Sequence, residues 1–281
     1  MIIEERFHEV KALIESVGTE ARAYFDSASV ENVAKGDGSA VTVVDGHIER
    51  ALLDYIGTHF PDDAVVGEEH GSKPGTSGFV WHIDPLDGTD NFVRKIPFFG
   101  VSVARLGDTA EDSFAIVHNP ATGQTFSTFL ETEGGVYENE RLCTMTKEPL
   151  TGSRYMLTIG AGRGEAWMQP AKFRIAESLG VAYGNATFYR SSALELAYVA
   201  ANRIDGYLTF GIKSWDYAAG LFLVRAAGGA ISVFENGAWR RVTESLKSVC
   251  STHGKTLFAS HPDFHDEVLA RIGDPAVWGT T

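Results

Sequence analysis

The stretch Trp81-His82-Ile83-Asp84-Pro85-Leu86-Asp87-Gly88-Thr89-Asp90-Asn91-Phe92 holds the densest run of unusual residues in the chain. A β-rich run ending at Ile83 leads into two carboxylates three residues apart, with Pro85 stiffening the turn between them. Gly88-Thr89-Asp90 then opens a short helix. Closely spaced carboxylate and carbonyl oxygens on a rigid turn suit a hard cation such as Mg²⁺, and free amides at a helix start suit a phosphate. An Asx-type turn capped by Asp84 and Asp87 fits the same residues. The first reading implies phosphoryl chemistry and the second implies none.

Outward from this turn the pattern is regular. From Ile2 to about Ser27, Phe7, Val10, Leu13, Ile14, Val17, Ala21, Tyr24 and Phe25 recur at three- and four-residue spacing, which predicts a long amphipathic helix. The glycine-bearing segment from Ala34 to Ala40 leads to a second helix whose face carries Ile48, Leu52, Leu53 and Ile56, stopped by Pro61. Short β-rich runs follow at 64–66, 79–83, 98–105, 114–118, 125–129 and 135–137, divided by Gly, Pro, Asp and Asn. The first half therefore reads as two helices against a largely antiparallel sheet. From Tyr155 strands at 155–159, 186–189 and 206–210 alternate with helices at 167–179, 193–201 and 215–227. Short strands and a last helix after Pro262 follow, an α/β layering. No internal repeat interrupts the chain. Two lobes are expected, joined near residues 141–153: an N-terminal α+β lobe, 1–145, with the metal and phosphate site, and a C-terminal α/β lobe, 146–281, with the leaving-group pocket.

Composition narrows the function. Over 281 residues, 24 Lys and Arg against 37 Asp and Glu give a net charge of −13, which repels nucleic-acid backbones and acidic lipid, so neither nucleic acid nor membrane is an expected partner. Cys143 and Cys250 stand far apart with no CxxC spacing, so neither a disulfide framework nor a zinc site is indicated. Glu4, Glu5 and Glu9 stand where a signal peptide needs basic and then apolar residues, and no apolar run approaches a membrane span. A cytoplasmic protein is the expectation.

Two further stretches bear on the turn. In Val65-Val66-Gly67-Glu68-Glu69-His70-Gly71 a strand ends in paired acids that a sheet interior cannot hold without a cation. In Ser214-Trp215-Asp216-Tyr217-Ala218-Ala219-Gly220 an acid follows a tryptophan at a helix start, where it serves as an N-cap, a ligand or both. Taken together, Gly67-Glu68-Glu69, the run from Trp81 to Phe92 with Pro97 and Ser102, and Trp215-Asp216 with Ala218-Ala219-Gly220 resemble the inositol monophosphatase family of lithium-sensitive, Mg²⁺-dependent phosphatases. The resemblance covers most of the chain, from Lys35 and Val41–Asp45 to the strand after Gly229. It implies the layered αβαβα sandwich of the sugar phosphatases, a homodimer, two to three Mg²⁺ ions and a small phosphorylated metabolite as substrate.

Carried over residue by residue, the resemblance assigns Glu68, Asp84 and the Leu86 carbonyl to a first metal, and Asp84, Asp87 and Asp216 to a second. A third ion would lean on Glu68. Asp45 and Thr89 resemble the pair that orients and deprotonates the attacking water, and the Gly88 and Thr89 amides resemble the phosphate cradle. A threonine hydroxyl is a poor base on its own, but it relays a proton to a carboxylate. The leaving group is expected against Asp87, Arg190, Ser191, Ser192, Thr209, Lys213 and Asp216.

Three departures concern the substrate. Arg190-Ser191-Ser192 stands where many inositol phosphatases carry Gly-Ser/Thr-Ala, Thr209 stands where they use a glutamate for inositol hydroxyls, and Lys35-Gly36-Asp37-Gly38-Ser39 resembles the K-x-D-x-S segment of the histidinol-phosphate and 3′-phosphonucleotide branches. Histidinol phosphate, fructose 1,6-bisphosphate and 3′-phosphonucleotides are therefore alternative substrates. A regulatory binding protein on the same fold is the non-enzymatic alternative, since some bacterial relatives also contact the transcription machinery.

Other motifs read as structure. Gly160-Ala161-Gly162-Arg163-Gly164 has Glu165 where a dinucleotide fingerprint needs its third glycine. His261 and His265 lack a third ligand and are expected at the surface, His70 and His82 are expected behind the acids, and Ser191 and Ser192 have no paired base in sequence.

Overall fold

The computed structural model describes residues 3–27, 32–34, 40–109, 113–129, 135–145, 155–160 and 168–273. The Lys35–Ser39 segment and the glycine run beyond Gly160 lie outside them. In chain order the first half contains α1 (Ile3–Asp26), β1 (Asn32–Ala34), β2 (Ala40–Thr42), α2 (Val43–His59), β3 (Ala64–Gly67), β4 (Ser72–Lys73), β5 (Val80–Asp87), α3 (Thr89–Val93), β6 (Gly100–Leu106), β7 (Phe114–Asn119), β8 (Gln124–Phe129), β9 (Val136–Glu138) and β10 (Arg141–Cys143). The second half contains β11 (Leu157–Ile159), α4 (Met168–Tyr183), α5 (Ser192–Ala200), β12 (Gly206–Ile212), α6 (Ser214–Ala226), β13 (Ala230–Glu235), β14 (Ala238–Arg241), α7 (Leu246–Val249), β15 (Lys255–Ser260) and α8 (Pro262–Ile272).

Alternation along the strands sets the layers. In β6, Val101 and Val103 face the core under α1 and α2, while Ala104 and Leu106 join the core around α5 and α6. Phe114 and Ile116 against Ala115 and Val117 divide in the same way along β7. These strands bury both faces and so read as continuous apolar runs. The eight-stranded sheet runs β10-β9-β8-β7-β6-β5-β3-β4, antiparallel except where β3 meets β5. A five-stranded sheet, β11-β12-β15-β13-β14, receives α5 and α6 on one face and α4 and α8 on the other. The order is helices, sheet, helices, sheet, helices, the αβαβα sandwich expected from the sequence.

Within that frame some local expectations change. The helices and strands after Tyr155 do alternate, and in the second sheet β11 and β12 pair in parallel while the other neighbours are antiparallel. The β13–β14 hairpin turns at Asn236-Gly237, both with positive φ (53° and 80°), the geometry that matches strand twist in a two-residue turn. Residues 186–189 form no strand; Thr187 makes a single bridge to Thr158. Residues 141–143 of the expected junction form β10 at a sheet edge. The core around α5 and α6 takes side chains from both sheets, joining the two halves of the chain. Among the described residues, no helix is long and apolar enough to cross a membrane.

Candidate active site

The site is built where β5 breaks its ladder. Pairing with β6 shifts register between Asp84 and Asp87, because Pro85 has no amide to donate and the chain turns there. The Leu86 amide donates to Asp84 Oδ1 (3.0 Å), so the Asx turn exists. Gly88 follows with φ 88°, and a Cβ there would stand 3.1 Å from Phe98 O and 3.2 Å from Arg190 O, so glycine alone fits without strain. Thr89 Oγ1 lies 3.0 Å from Leu86 O and 3.5 Å from Asp45 Oδ1. A hydroxyl has one proton to give, and at rest the shorter contact takes it.

Two helix starts supply aspartates from elsewhere in the chain. Asp45 is the third residue of α2 and accepts from the Thr42 amide (2.9 Å) and hydroxyl (2.6 Å), closing a capping box. Asp216 is the third residue of α6, not its cap, and accepts from the Lys213 amide (2.8 Å). Glu68 follows the end of β3, half-buried and in electrostatic reach of Asp84, Asp87 and Asp216.

These carboxylates oppose one another. Burial first, and then the charges of Glu68, Asp87 and Asp216, hold Asp84 well above the ordinary carboxylate range. Burial followed by Asp87 and Glu68 does the same to Asp216. Asp87 is pushed up to about 6 by burial, against the Ser191 hydroxyl and the Ala193 amide, which favour its anion. Asp45 is pushed up to about 6, again mainly by burial, with Glu69 and Glu68 adding to it against its Thr42 bonds. Among the described residues, no three His, Cys, Asp or Glu side chains converge tightly enough to hold a metal ion as they stand. The set is mutually repelling, and a cation bound among these oxygens would offset that repulsion. As a donor set, oxygen only and rich in charge, it fits Mg²⁺.

The expected pocket residues are distributed unevenly. Ser191 is fully buried and donates to Asp87 Oδ2 (2.6 Å), and the Ala193 amide donates to the same oxygen (2.7 Å). Ser192 is half-buried and accepts from the Tyr207 hydroxyl (2.6 Å). Thr209 is wholly buried in β12 beneath Gly160, where a Cβ would strike its hydroxyl at 2.3 Å. Lys213 is exposed. Arg190 is exposed and paired with Asp90.

Three residues that sequence reasoning passed over help to build the site. Buried Glu49 accepts from the amides of Glu69 (2.7 Å) and His70 (3.2 Å), fixing the turn that carries Glu68, and its Oε1 would lie 1.9 Å from a Cβ on Gly67. Its signal was the i,i+4 spacing from Asp45, which puts both acids on one face of α2. Asn91 Nδ2 donates to Phe98 O (2.7 Å) and Tyr189 O (2.8 Å). Glu195 is fully buried, and burial pushes its carboxyl up to about 8.

The histidines need one correction. His265 and His261 are buried, not at the surface. His265 spans Ser232 (2.9 Å) and Ser260 (2.6 Å), and His261 caps α8 by accepting from the Asp263 amide (3.2 Å). His82 is buried 3.0 Å from Ser214 Oγ, and burial lowers it to about 3, so it stays neutral behind the site.

A layered sandwich with a carboxylate-lined turn at its broken strand is an architecture found among known proteins. The model of the inositol monophosphatase family matches residues 4–270, and the chain belongs to that family. Among curated relatives, the Nus factor SuhB of Escherichia coli (strain K12) is 34% identical over 256 residues, covering 89% of this chain and 93% of its own. That of Haemophilus influenzae is 37% identical over 221 residues, covering 77% and 80%. Among solved structures, the Thermotoga maritima IMPase is 27% identical with a TM-score of 0.78, covering 99% of this chain and 100% of its own. The extragenic suppressor protein suhB of Bartonella henselae shares the fold at 22% identity and a TM-score of 0.80, covering 96% and 99%.

Proposed function

We propose that the protein is a Mg²⁺-dependent phosphomonoesterase acting on a small polyol or sugar phosphate. The observation that carries this reading is the crowding of Asp84, Asp87 and Asp216, whose charges oppose one another with Glu68 beside them. Glu68, Asp84 and the Leu86 carbonyl would hold one ion and Asp84, Asp87 and Asp216 a second, with a third leaning on Glu68. Such ions offset charge on a phosphoryl group and its leaving oxygen. Asp87 is oriented for this by Ser191 and Ala193, and Asp216 by the Lys213 amide.

The remaining steps belong to the chain itself. The Gly88 and Thr89 amides hold the phosphoryl oxygens. Thr89 Oγ1, between Leu86 O and Asp45 Oδ1, turns toward Asp45 when it accepts a proton from the attacking water, and Asp45 takes the proton onward. Burial makes Asp45 a stronger base than an exposed aspartate. The leaving group lies toward Ser192 and Lys213, while Thr209, buried and uncharged, offers hydroxyls no charged acceptor. A cytoplasmic setting and a homodimer belong to the same proposal.

Release of inorganic phosphate from inositol 1-phosphate, histidinol phosphate, fructose 1,6-bisphosphate and 3′-phosphonucleotides, with Mg²⁺ and with EDTA, tests this. Turnover of at least one ester that EDTA abolishes is expected, and no release from any of them overturns the reading.

The names of the curated relatives favour a second reading, in which the chain acts as a binding protein of the kind that Nus factor SuhB denotes. With a charge of −13, its partner would be met through a protein surface rather than a bare phosphate backbone. A protein that takes up Mg²⁺ yet hydrolyses no ester favours this reading.

A further inference from the structure

Arg190 occupies left-handed backbone, φ 67°, where an L side chain is disfavoured and glycine is at home. Such strain persists where the surroundings hold it in place, and functional sites collect it. Here the surroundings form a seam. Tyr189 O accepts from Asn91 Nδ2 (2.8 Å), Arg190 Nη2 donates to Asp90 Oδ2, and Ser191 Oγ and Ala193 N donate to Asp87 (2.6 and 2.7 Å). The segment 189–193 thus grips the turn 87–91 point by point, and the arginine provides the one charged stitch between the two.

Asp90 is the reason that charge matters. It adds a third carboxylate to a turn that already carries Asp84 and Asp87, and it immediately follows Thr89. Its other partner, Arg94, is a longer contact (3.4 Å) whose side chain is 65% exposed, so it screens weakly. Left uncompensated, the Asp90 carboxylate would repel a dianion at Gly88 and Thr89.

We propose that Arg190 is a positioning residue that cancels the Asp90 charge and holds that carboxylate aside, so that the 87–91 turn accepts a phosphate dianion. This rests on the reading of Gly88 and Thr89 as the phosphate site. The arginine acts through Asp90 and does not touch the leaving group.

The test is calorimetric binding of inorganic phosphate in Mg²⁺ buffer by the wild type, Arg190→Ala, Asp90→Asn and the double variant. Arg190→Ala is expected to weaken binding about tenfold, the size of a lost charge-assisted contact, and the double variant to return to within about twofold of Asp90→Asn. Arg190→Gly should bind as weakly as Arg190→Ala while melting no lower than wild type, because glycine relieves the backbone, and this separates weak binding from misfolding. In turnover, Arg190→Ala should raise KM alike for inositol 1-phosphate and fructose 1,6-bisphosphate with kcat nearly unchanged.

Weak binding that Asp90→Asn does not restore, or a loss confined to the bisphosphate, would mean that Arg190 touches the substrate directly and overturns the proposal. Unchanged binding in Arg190→Ala overturns it as well, and leaves the phosphate site standing. A wild type that binds no phosphate removes both.

Discussion

Near the start of β5 and again at its end, the fold buries aspartates, and it treats them in opposite ways. Asp63, beside the start, accepts from Arg105 Nε (2.8 Å), Trp81 Nε1 (2.9 Å) and Ser77 Oγ (2.5 Å), while the Arg105 guanidinium lies over the Phe79 ring at 3.6 Å. Asp84 and Asp87, at the end, are as deeply buried but are crowded by other acids. A buried charge with a matched partner contributes to one fixed structure, whereas crowded like charges favour the binding of an opposite charge. Burial alone therefore does not mark a functional carboxylate; the sign of its neighbours does.

Substitution should separate the two ends cleanly. Asp87→Asn and Asp216→Asn are each expected to lower kcat by orders of magnitude, and in EDTA to melt no lower than wild type because a repulsion has been removed. Asp63→Ala should do the reverse. Stranding Arg105 costs about 3–5 kcal/mol of stability, and whatever remains folded should turn over at the wild-type rate. Phosphate release and thermal melts on the three variants check this, and a stable, inactive Asp63→Ala would break the distinction.

Thr89→Ala comes next, with a loss of roughly 10²–10⁴ in kcat at little change in phosphate affinity, as expected when a proton relay is removed. Thr89→Ser should regain part of it. A change in KM alone would make the threonine a phosphate contact.

Much of this comparison was legible in the sequence. The helix period from Phe7 to Phe25 and the continuous β-rich runs of β6 and β7 mark the layers, because burial on one or two faces leaves its mark directly on residue type. The turn from Asp84 to Thr89 could be singled out since its chemistry is local. What could not be read were pairings between distant segments. Ser191 with Asp87, Arg190 with Asp90 and Glu49 with the Glu69 amide depend on how sheets and helices dock, and no local periodicity encodes them. The histidines misled for the same reason: His265 lies on the inner face of α8 opposite two serines that are far away or unremarkable in sequence.

A further buried acid sharpens the contrast through pH. Glu195 is raised from 4.5 to about 8 by burial, so its folded form holds a proton that the unfolded chain releases. Its stabilising effect is complete below about 4.5 and is lost as pH rises through about 8. In EDTA the melting temperature should therefore fall between pH 5 and 9, and Glu195→Gln should fall less. Parallel curves would mean that the carboxyl is ionised throughout.

The smallest effect is expected at Lys213. Its amide makes the hydrogen bond to Asp216, and its exposed ammonium adds only a weaker attraction behind burial and the neighbouring acids, so Lys213→Ala should nearly keep kcat and raise KM for an anionic leaving group only several-fold, as a screened surface charge does. Steady-state kinetics on fructose 1,6-bisphosphate checks this, and a fall in kcat would place the ammonium closer to the reacting bond.

The seam between 189–193 and 87–91 also sets a clock on the ribosome. Asp87 and Ser191 are 104 residues apart in the chain, so at about 5–20 residues per second some 5–20 s of synthesis separate the appearance of Asp87 from that of the serine that orients it. The strands of the first sheet are finished only partway through that interval, at Cys143, and from then until Ser191 appears Asp87 stands in a complete sheet without its partner. The proposed site is therefore completed only by the last third of the polypeptide, and a nascent or truncated chain carries Glu68, Asp84 and Asp87 without Asp216 and without the serine that orients Asp87.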